Sequence, residues 1–388
     1  MQKIAQYFIK NYFKRAGIEL DGTQPYDIRV INPHFYTRVF LYHLCGLGSL
    51  AFGETYVDGW WKCDRIDEMI YRLQQSRFNE ERPPGRLKRL WYWLLWHLYN
   101  PQSVLLSRRV AAMHYDLGNN LYRPMLGESM AYSCGYWKPD TKTLDEAQFA
   151  KYDLICRKLG LNTWDKKHPP RILEIGCGFG GFAKHAAKRY GANVVGVTLS
   201  KEQLEFGKAL CDGLPVDLRL IDYRLLSRGE FPDGFDFIVS IGMFEHVGPS
   251  NYSRFMAIAA DMLRPGGLFL LHTIGTRGGG QEAWIAKYIF PGGRLPRLPQ
   301  ILHAAEGRFP KTLDVHNFGH CYDYTLMAWL KNFHGHSREI ELAKDERFVR
   351  MWNYYLASCA GAFRAQILDL WQIVFSKDEI LGGYQSVR

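Results

Sequence analysis

The chain has 388 residues, 47% of them hydrophobic, which is enough for a large core in two domains or in one domain with a substantial extension, so disorder is not the default reading. No run of eighteen apolar residues occurs, and Lys3, Lys10, Lys14 and Arg15 interrupt the start, which argues against a membrane span or signal core and for a cytoplasmic protein. The formal charge is +10, and the first 110 residues carry sixteen Lys and Arg against ten Asp and Glu; this basic, aromatic third suits either nucleic acid or anionic lipid.

In chain order, the first 110 residues read as mostly helical, with an amphipathic stretch at 4 to 16 and a break at Arg82-Pro83-Pro84-Gly85. Behind the break, Arg86-Leu87-Lys88-Arg89 precedes a ten-residue segment, 90 to 99, that holds Trp91, Tyr92, Trp93, Trp96 and Tyr99. Such a segment is too short to span a bilayer. It suits a helix lying in a headgroup layer, and equally a helix packed between domains with its aromatics in the core. Residues 1 to 100 are read as a small helical domain, 101 to 150 as a linking segment that contributes to the active site, and 151 to 388 as an α/β catalytic domain.

From Arg171 onward short apolar runs alternate with helical patterns. Strands are expected at 171 to 175, 193 to 198, 218 to 222, 235 to 241 and 268 to 274, and a late one at 370 to 375. Pro265-Gly266-Gly267 is expected to stop the helix before the fifth strand. The pattern predicts a doubly wound, Rossmann-like, mostly parallel sheet. The Gly- and Pro-rich stretch 275 to 310 is too long for a connection and reads as an insertion, a lid or substrate-facing segment, after which helical patterns return. Cysteines at 45, 63, 134, 156, 177, 211, 321 and 359 form no C-x-x-C pair, which argues for reduced thiols and against a zinc knuckle; no metal is expected.

The turn Glu174-Ile175-Gly176-Cys177-Gly178-Phe179-Gly180-Gly181 follows the first strand of the alternating region and opens a helix. Its glycines let the backbone bend sharply and bring amides close to a ligand. An acid before the first glycine resembles the turn of S-adenosylmethionine (SAM)-dependent methyltransferases more than that of dinucleotide enzymes. Those enzymes carry a second acid about 20 residues further on, whereas here the second strand ends in Val197-Thr198-Leu199-Ser200. Ser200-Lys201-Glu202-Gln203 has capping-box spacing, so Gln203 either starts a helix or touches the cofactor. Asp222-Tyr223 is placed for an adenine, the carboxylate accepting from its amine and the ring stacking.

Further motifs are Gly242-Met243-Phe244-Glu245-His246-Val247-Gly248-Pro249, Leu271-His272-Thr273-Ile274-Gly275 and Tyr132-Ser133-Cys134. With them go His114-Tyr115-Asp116-Leu117-Gly118-Asn119, Asp323-Tyr324-Thr325-Leu326-Met327-Ala328-Trp329 and Cys359-Ala360-Gly361-Ala362-Phe363-Arg364. Together they resemble the cyclopropane-fatty-acyl-phospholipid synthase family of SAM-dependent methyltransferases over most of the chain after about residue 110. The resemblance implies transfer of the sulfonium methyl to a cis double bond of a phospholipid acyl chain, followed by ring closure of the resulting cation on loss of a proton. An alkene is a poor nucleophile, so such an enzyme must align it and exclude water.

The resemblance also implies a bound bicarbonate ion as base, with Cys134, Glu245, His272, Tyr322 and the backbone of Ile274 as its ligands. His272 and Tyr322 would donate to bicarbonate oxygens and Glu245 would accept its hydroxyl. Tyr132, Tyr136, Trp137 and Tyr322 are candidates to face the cation, and any of them serves equally as packing. Cys134 and Cys359 read equally as small buried hydrophobes; no covalent intermediate is required of Cys359, which is retained only for the motif around it. For the cofactor the resemblance points to Tyr132, Ser133, Gly176, Gly178, Thr198, Gln203, Asp222, Tyr223 and Ile241.

The implied partner is an unsaturated phospholipid in a bilayer, reached by peripheral contact with the inner face of the membrane, which makes residues 1 to 100 a lipid-docking domain and leaves a homodimer open. Three other readings compete. A related lipid C-methyltransferase would stop at a branched, methylene or hydroxylated product. A nucleic-acid methyltransferase is suggested by the basic first third, but no Asn-Pro-Pro-Tyr-like base-flipping motif occurs and no nucleic-acid partner is expected. A non-enzymatic lipid-binding protein would not need the cofactor turn.

Overall fold

The computed structural model describes residues 1–78 and 119–388, apart from 166, 279 and 381. The break at 82 to 85, the aromatic segment 86 to 99 and positions 114 to 118 of the His114 motif lie outside the described residues.

Helix α1 (Gln2–Lys14) buries Ala5, Ile9 and Phe13, a four-residue spacing that keeps one face inward. It is followed by β1 (Arg29–Val30), α2 (His34–Leu44), α3 (Gly48–Val57), β2 (Trp61–Lys62), which pairs antiparallel with β1, and α4 (Ile66–Phe78). Next come α5 (Asn119–Leu126) and α6 (Leu144–Lys158). Helix α6 starts at a capping box, in which Glu146 N–H donates to Thr143 Oγ1 and Thr143 N–H donates to Glu146 Oε2.

The alternating region is β3 (Arg171–Ile175), α7 (Gly181–Tyr190), β4 (Asn193–Thr198), α8 (Lys201–Leu210), β5 (Val216–Leu220), β6 (Phe235–Ile241), α9 (Tyr252–Met262) and β7 (Leu263–Thr276). The chain continues through α10 (Ala283–Tyr288), α11 (Leu298–Ala305), β8 (Lys311–Asn317), α12 (Cys321–Gly335), α13 (Glu346–Arg364) and β9 (Leu368–Ser376). The sheet has seven strands in the order β5-β4-β3-β6-β7-β9-β8. The first five in that order are parallel, and β8 runs antiparallel to β9. This is the expected doubly wound α/β fold. The order in which strands are added reverses between β3 and β6, so the crevice for a ligand opens at their carboxyl ends.

Alternation along each strand feeds two cores. Leu173, Ile175, Ile238, Phe269 and Leu271 join one cluster, while Ile172, Val194, Phe237, Val239 and Leu270 join the other. Both faces are therefore covered, which is why the central strands read as continuous apolar runs.

The chain divides into two compact units. A helical unit comprises Met1–Tyr99, Gln281–Pro291 and Tyr322–Leu368; a catalytic unit comprises Asn100–Gly280, Gly292–Cys321 and Asp369–Arg388. In the helical unit Phe52 stacks on Trp61 at 4.4 Å, and Trp61 Nε1–H donates to the Phe52 carbonyl. Helices α4 and α13 approach so closely at Gly361 that a Cβ there would lie 2.3 Å from the Asp67 carbonyl oxygen. Arg364, at the end of α13, ties it to α4 and α12 by donating to Asp67 and Glu68 on the one and Asp323 on the other.

Several boundaries differ from the sequence expectation. The third strand of the sheet lies at Val216–Leu220, two residues earlier than 218 to 222, because Asp222 instead caps a short turn by accepting from Arg224 N–H. The fifth begins at Leu263 and takes in Pro265-Gly266-Gly267. Pro265 is tolerated because the register shifts between Phe235 and Phe237, at the irregular start of the strand pair. Strand β8 was not expected: Asp314 is its one buried residue, so it has no apolar alternation to read. The end of the stretch 275 to 310 contributes to the core, since Ile301, Ala304, Ala305 and Phe309 belong to one of the two sheet clusters.

Candidate active site

The glycine turn wraps the carboxyl end of β3. Gly176, Gly178 and Gly180 have φ of +84°, +52° and +79°, which side-chain-bearing residues rarely adopt. Gly176 and Cys177 donate their N–H groups to the Val197 carbonyl, which binds the turn to β4. A Cβ at Gly176 would come within 2.7 Å of Met243, so glycine is required there on steric grounds as well.

Around this turn stand the other expected cofactor residues. Thr198, at the end of β4, donates from Oγ1 to Gln203 Oε1 at 2.9 Å, and Gln203 N–H donates to Ser200 Oγ. Gln203 therefore takes part in the helix cap while its side chain is fixed to Thr198. Asp222 is fully buried and gripped by the Arg224 fork, Nε to Oδ1 at 2.8 Å and a terminal NH2 to Oδ2 at 2.6 Å. Tyr223 meets Phe255 edge-on at 5.3 Å, and Ile241 ends β6 beside His272 in register.

The segment 132 to 136 is held by two side chains one turn apart on α6. Gln148 Nε2–H donates to the Ser133 carbonyl at 2.8 Å and Lys151 Nζ donates to Ser133 Oγ at 2.7 Å. Gly135 lets the segment lie against α6, where a Cβ would fall 2.8 Å from Ala147. Lys151 is completely buried, and burial pushes its ammonium down to about 7 against the pull of Cys134 and Glu174. Burial likewise raises Glu174 well above the carboxylate range, with Lys151 opposing. Sequence reading did not single out Gln148 or Lys151: on a helix with a capping box at one end, both look like solvent-facing positions.

Glu245 follows β6, and His272 lies within β7 opposite Ile241, the last residue of β6. Glu245 is buried on a short turn after β6, where its Oε1 accepts from Ile274 N–H at 2.7 Å. Burial pushes its carboxyl up to about 7, opposed by that hydrogen bond. The Ile274 N–H is thus committed to orienting Glu245. His272 is fully buried, which drives it well below the usual histidine range, with Lys151 and Lys158 adding to the effect. Its Nδ1 lies 3.3 Å from Gln372 Nε2. Glu245 Oε2 and His272 Nε2 are both buried with no hydrogen-bond partner among the described residues. That leaves one acceptor and one nitrogen able to donate. They fit a small oxyacid anion, which offers oxygen lone pairs to the nitrogen and a hydroxyl to the carboxylate. The glycine turn fits a nucleoside cofactor by its backbone: at Gly178 a Cβ would meet nothing within 4 Å, so the main chain there lies open to a ligand.

Phe318, a residue without a motif, stands edge-on to His272 at 5.8 Å and to Tyr136 at 5.2 Å, so an aromatic wall adjoins the histidine. Cys134 is fully buried and donates to the Gly135 carbonyl. Tyr322 and Cys359 belong to the helical unit. Tyr322 stacks on Phe363 at 4.4 Å, and burial pushes the Cys359 thiol up to about 12, far from the thiolate a nucleophile requires.

A family model described as Mycolic acid cyclopropane synthetase matches residues 105–373. The chain is 47% identical over 365 residues to the cyclopropane-fatty-acyl-phospholipid synthase of Escherichia coli (strain K12), covering 94% of this chain and 91% of that protein. It is 39% identical over 327 residues to a probable fatty acid methyltransferase of Pseudomonas putida, covering 81% and 76%. Among solved structures it is similar to the mycolic acid cyclopropane synthase CmaA1 complexed with SAH and CTAB, with a TM-score of 0.62 and 32% identity over 70% of this chain and 98% of that one.

Proposed function

The chain belongs to the mycolic acid cyclopropane synthetase family, and from that premise we infer that it is a SAM-dependent methyltransferase that converts the cis double bond of an unsaturated phospholipid acyl chain to a cyclopropane, with bicarbonate as the base. The observation that carries the reading is the buried pair Glu245 Oε2 and His272 Nε2, unpartnered among the described residues, the first on the turn after β6 and the second on β7 opposite the last residue of β6. When bound, SAM supplies an electrophilic methyl group and bicarbonate an acceptor for the proton released at ring closure.

The chain's own residues bind, orient and exclude. Gly176 and Gly178 let the backbone approach the cofactor, Thr198 and Gln203 act as one hydrogen-bonded pair, and Ile241 and Tyr223 offer apolar and aromatic surface. Asp222, oriented by the Arg224 fork on both its oxygens, would face an adenine amine. Ser133 is presented by Lys151 and Gln148, with Tyr132 before it and Cys134 after it. Glu245 would accept the bicarbonate hydroxyl and His272 would donate to another of its oxygens, and the ion so held would supply the base. Tyr322 stays a proposed ligand on the family resemblance alone. Apolar and aromatic neighbours such as Phe318 keep water from a cation that it would trap as an alcohol.

The acyl double bond lies within a bilayer, so the enzyme works as a peripheral protein on the inner membrane face. Its net charge of +10 supports attraction to anionic lipid. No helix among the described residues is long and apolar enough to cross a membrane.

The test is incubation of the purified chain with vesicles of unsaturated phosphatidylglycerol and phosphatidylethanolamine and labelled SAM, with and without bicarbonate. Label should appear in acyl chains one methylene heavier that resist hydrogenation as alkenes, and removal of bicarbonate should slow the reaction. A methyl-branched product would move the chain to a related lipid methylation, and transfer to RNA in place of lipid would overturn the reading.

A further inference from the structure

A neutral imidazole has one proton for two nitrogens, so His272 can donate from Nε2 only if something keeps that proton off Nδ1. Burial holds His272 in the neutral form, which makes the choice of tautomer decisive.

The only neighbour that hydrogen-bonds to Nδ1 among the described contacts is Gln372, on β9, the strand beside β7. Alternation along β9 sends Trp371, Ile373 and Phe375 into one core cluster and Val374 into the other, so Gln372 shares the face of Val374. That face is otherwise lined by Leu268, Leu270 and Val239, and Gln372 is completely buried within it. A primary amide in such a place is costly unless it serves something, the more so because its Oε1 has no partner among the described residues. The third strand continues the row, with His316 of β8 standing opposite Gln372 in register.

We propose that Gln372 is a positioning residue for the reaction: its amide donates to His272 Nδ1 and thereby keeps the imidazole proton on Nε2, the nitrogen that faces bicarbonate. The opposite amide orientation would accept from Nδ1–H and point a lone pair of Nε2 at an anion. Only the donating orientation is compatible with the site, which is how the orientation is assigned. The inference rests on the bicarbonate reading above and extends it to a residue that makes no contact with bicarbonate, in the manner of the outer partners that fix metal-bound histidines.

The test uses the full chain with Gln372→Leu and Gln372→Met. Both side chains are apolar, so each removes the donor and leaves Nδ1 without its hydrogen bond. Nitrogen-15 spectra of histidine-labelled protein, assigned with His272→Gln, read the protonated nitrogen and the hydrogen bond at Nδ1 directly and need neither SAM nor lipid. The wild type should show Nε2–H with a hydrogen-bonded Nδ1, and in both variants the Nδ1 resonance should move to that of a bare imidazole nitrogen or of a protonated one. In vesicle assays at saturating SAM, both variants should need roughly tenfold more bicarbonate for half-maximal rate, with KM for SAM unchanged, as expected for loss of one buried hydrogen bond. A wild type protonated at Nδ1, or an Nδ1 resonance that neither variant alters, overturns the inference whatever the rates. A wild-type rate indifferent to bicarbonate, with the Nδ1 resonance changing as described, instead sinks the reading beneath it. If the leucine variant fails to fold, methionine, unbranched and close to glutamine in length, still decides the matter.

Discussion

Replacing Glu245 by glutamine separates what the site does from what it costs. Burial raises the Glu245 carboxyl from 4.5 to about 7. A difference of about 2.5 in pKa, at about 1.4 kcal/mol for each, means that holding the carboxylate ionised in the fold costs roughly 3 kcal/mol at most. Because the folded state binds this proton more tightly than the unfolded chain, its contribution to stability is fully present below the unfolded value and is lost as pH rises from 4.5 through about 7. Glu245→Gln removes that loss. Its amide still accepts from Ile274 N–H, but its NH2 lacks a partner, which returns about 1 kcal/mol. The catalytic unit of the variant should therefore be more stable than wild type by about 1–2 kcal/mol near pH 8 and no more stable near pH 4.5. Urea unfolding across this pH range, without SAM, lipid or bicarbonate, measures it. On the bicarbonate proposal methyl transfer should fall about a hundredfold, because an amide donor would face the hydroxyl that the carboxylate would accept. A variant that gains no stability at the higher pH, or keeps more than about a tenth of the rate, would refute the reasoning.

Lys151→Met leaves Ser133 Oγ without its donor and Glu174 without its counter-charge; SAH affinity measured by calorimetry should drop about tenfold, and unchanged affinity would make Lys151 a packing residue. Gly361→Ala forces a Cβ to within 2.3 Å of the Asp67 carbonyl. It should cost the helical unit about 1–3 kcal/mol in thermal unfolding while leaving SAH binding intact, and an unaltered melt would mean that α4 and α13 separate freely. Cys359→Ala should keep the methyl-transfer rate within about twofold, since a thiol held near 12 is no nucleophile; a large loss of rate at full SAM binding would reopen a chemical role.

What the sequence made legible follows from how strongly each feature is imposed. The parallel strands were readable because both faces of the sheet are covered and each strand is an apolar run ended by a turn. The glycine turn was readable because positive φ at Gly176, Gly178 and Gly180 leaves little choice of residue. Strand β8 was not, since it is an edge strand whose inward positions are Asp314 and His316 in place of aliphatics. Nor were Gln148, Lys151 and Gln372: a polar residue looks alike in sequence whether it meets water or another strand, and only the fold brings Gln372 beside His272 across one hundred positions. The discontinuity of the helical unit was hidden for a similar reason, because nothing in the composition of Gln281–Pro291 separates it from the core helix α11 that follows.

The titratable groups of the site share one physical tendency. Glu245 and Glu174 are pushed up, and His272 and Lys151 are pushed down, in each case chiefly by burial. Every shift favours the neutral form, which is the signature of a region poor in water. A site built for hydrolysis would admit water and lose these shifts. One that must carry a carbocation to ring closure has to refuse it, because water captures the cation faster than a weak base can remove a proton. The same dryness that makes Glu245 costly to ionise therefore protects the product, and it sharpens the demand on geometry: with solvent unable to reorient donors and acceptors, the tautomer of His272 and the hydrogen bond from Ile274 to Glu245 must be set by the protein before substrate arrives. Replacing Phe318 by alanine should then let water in, lowering the His272 and Glu245 perturbations together and diverting some product to hydroxylated chains, detectable by mass spectrometry of the lipid extract. If Phe318→Ala slowed the reaction without any hydroxylated product, exclusion of water would have to be assigned elsewhere.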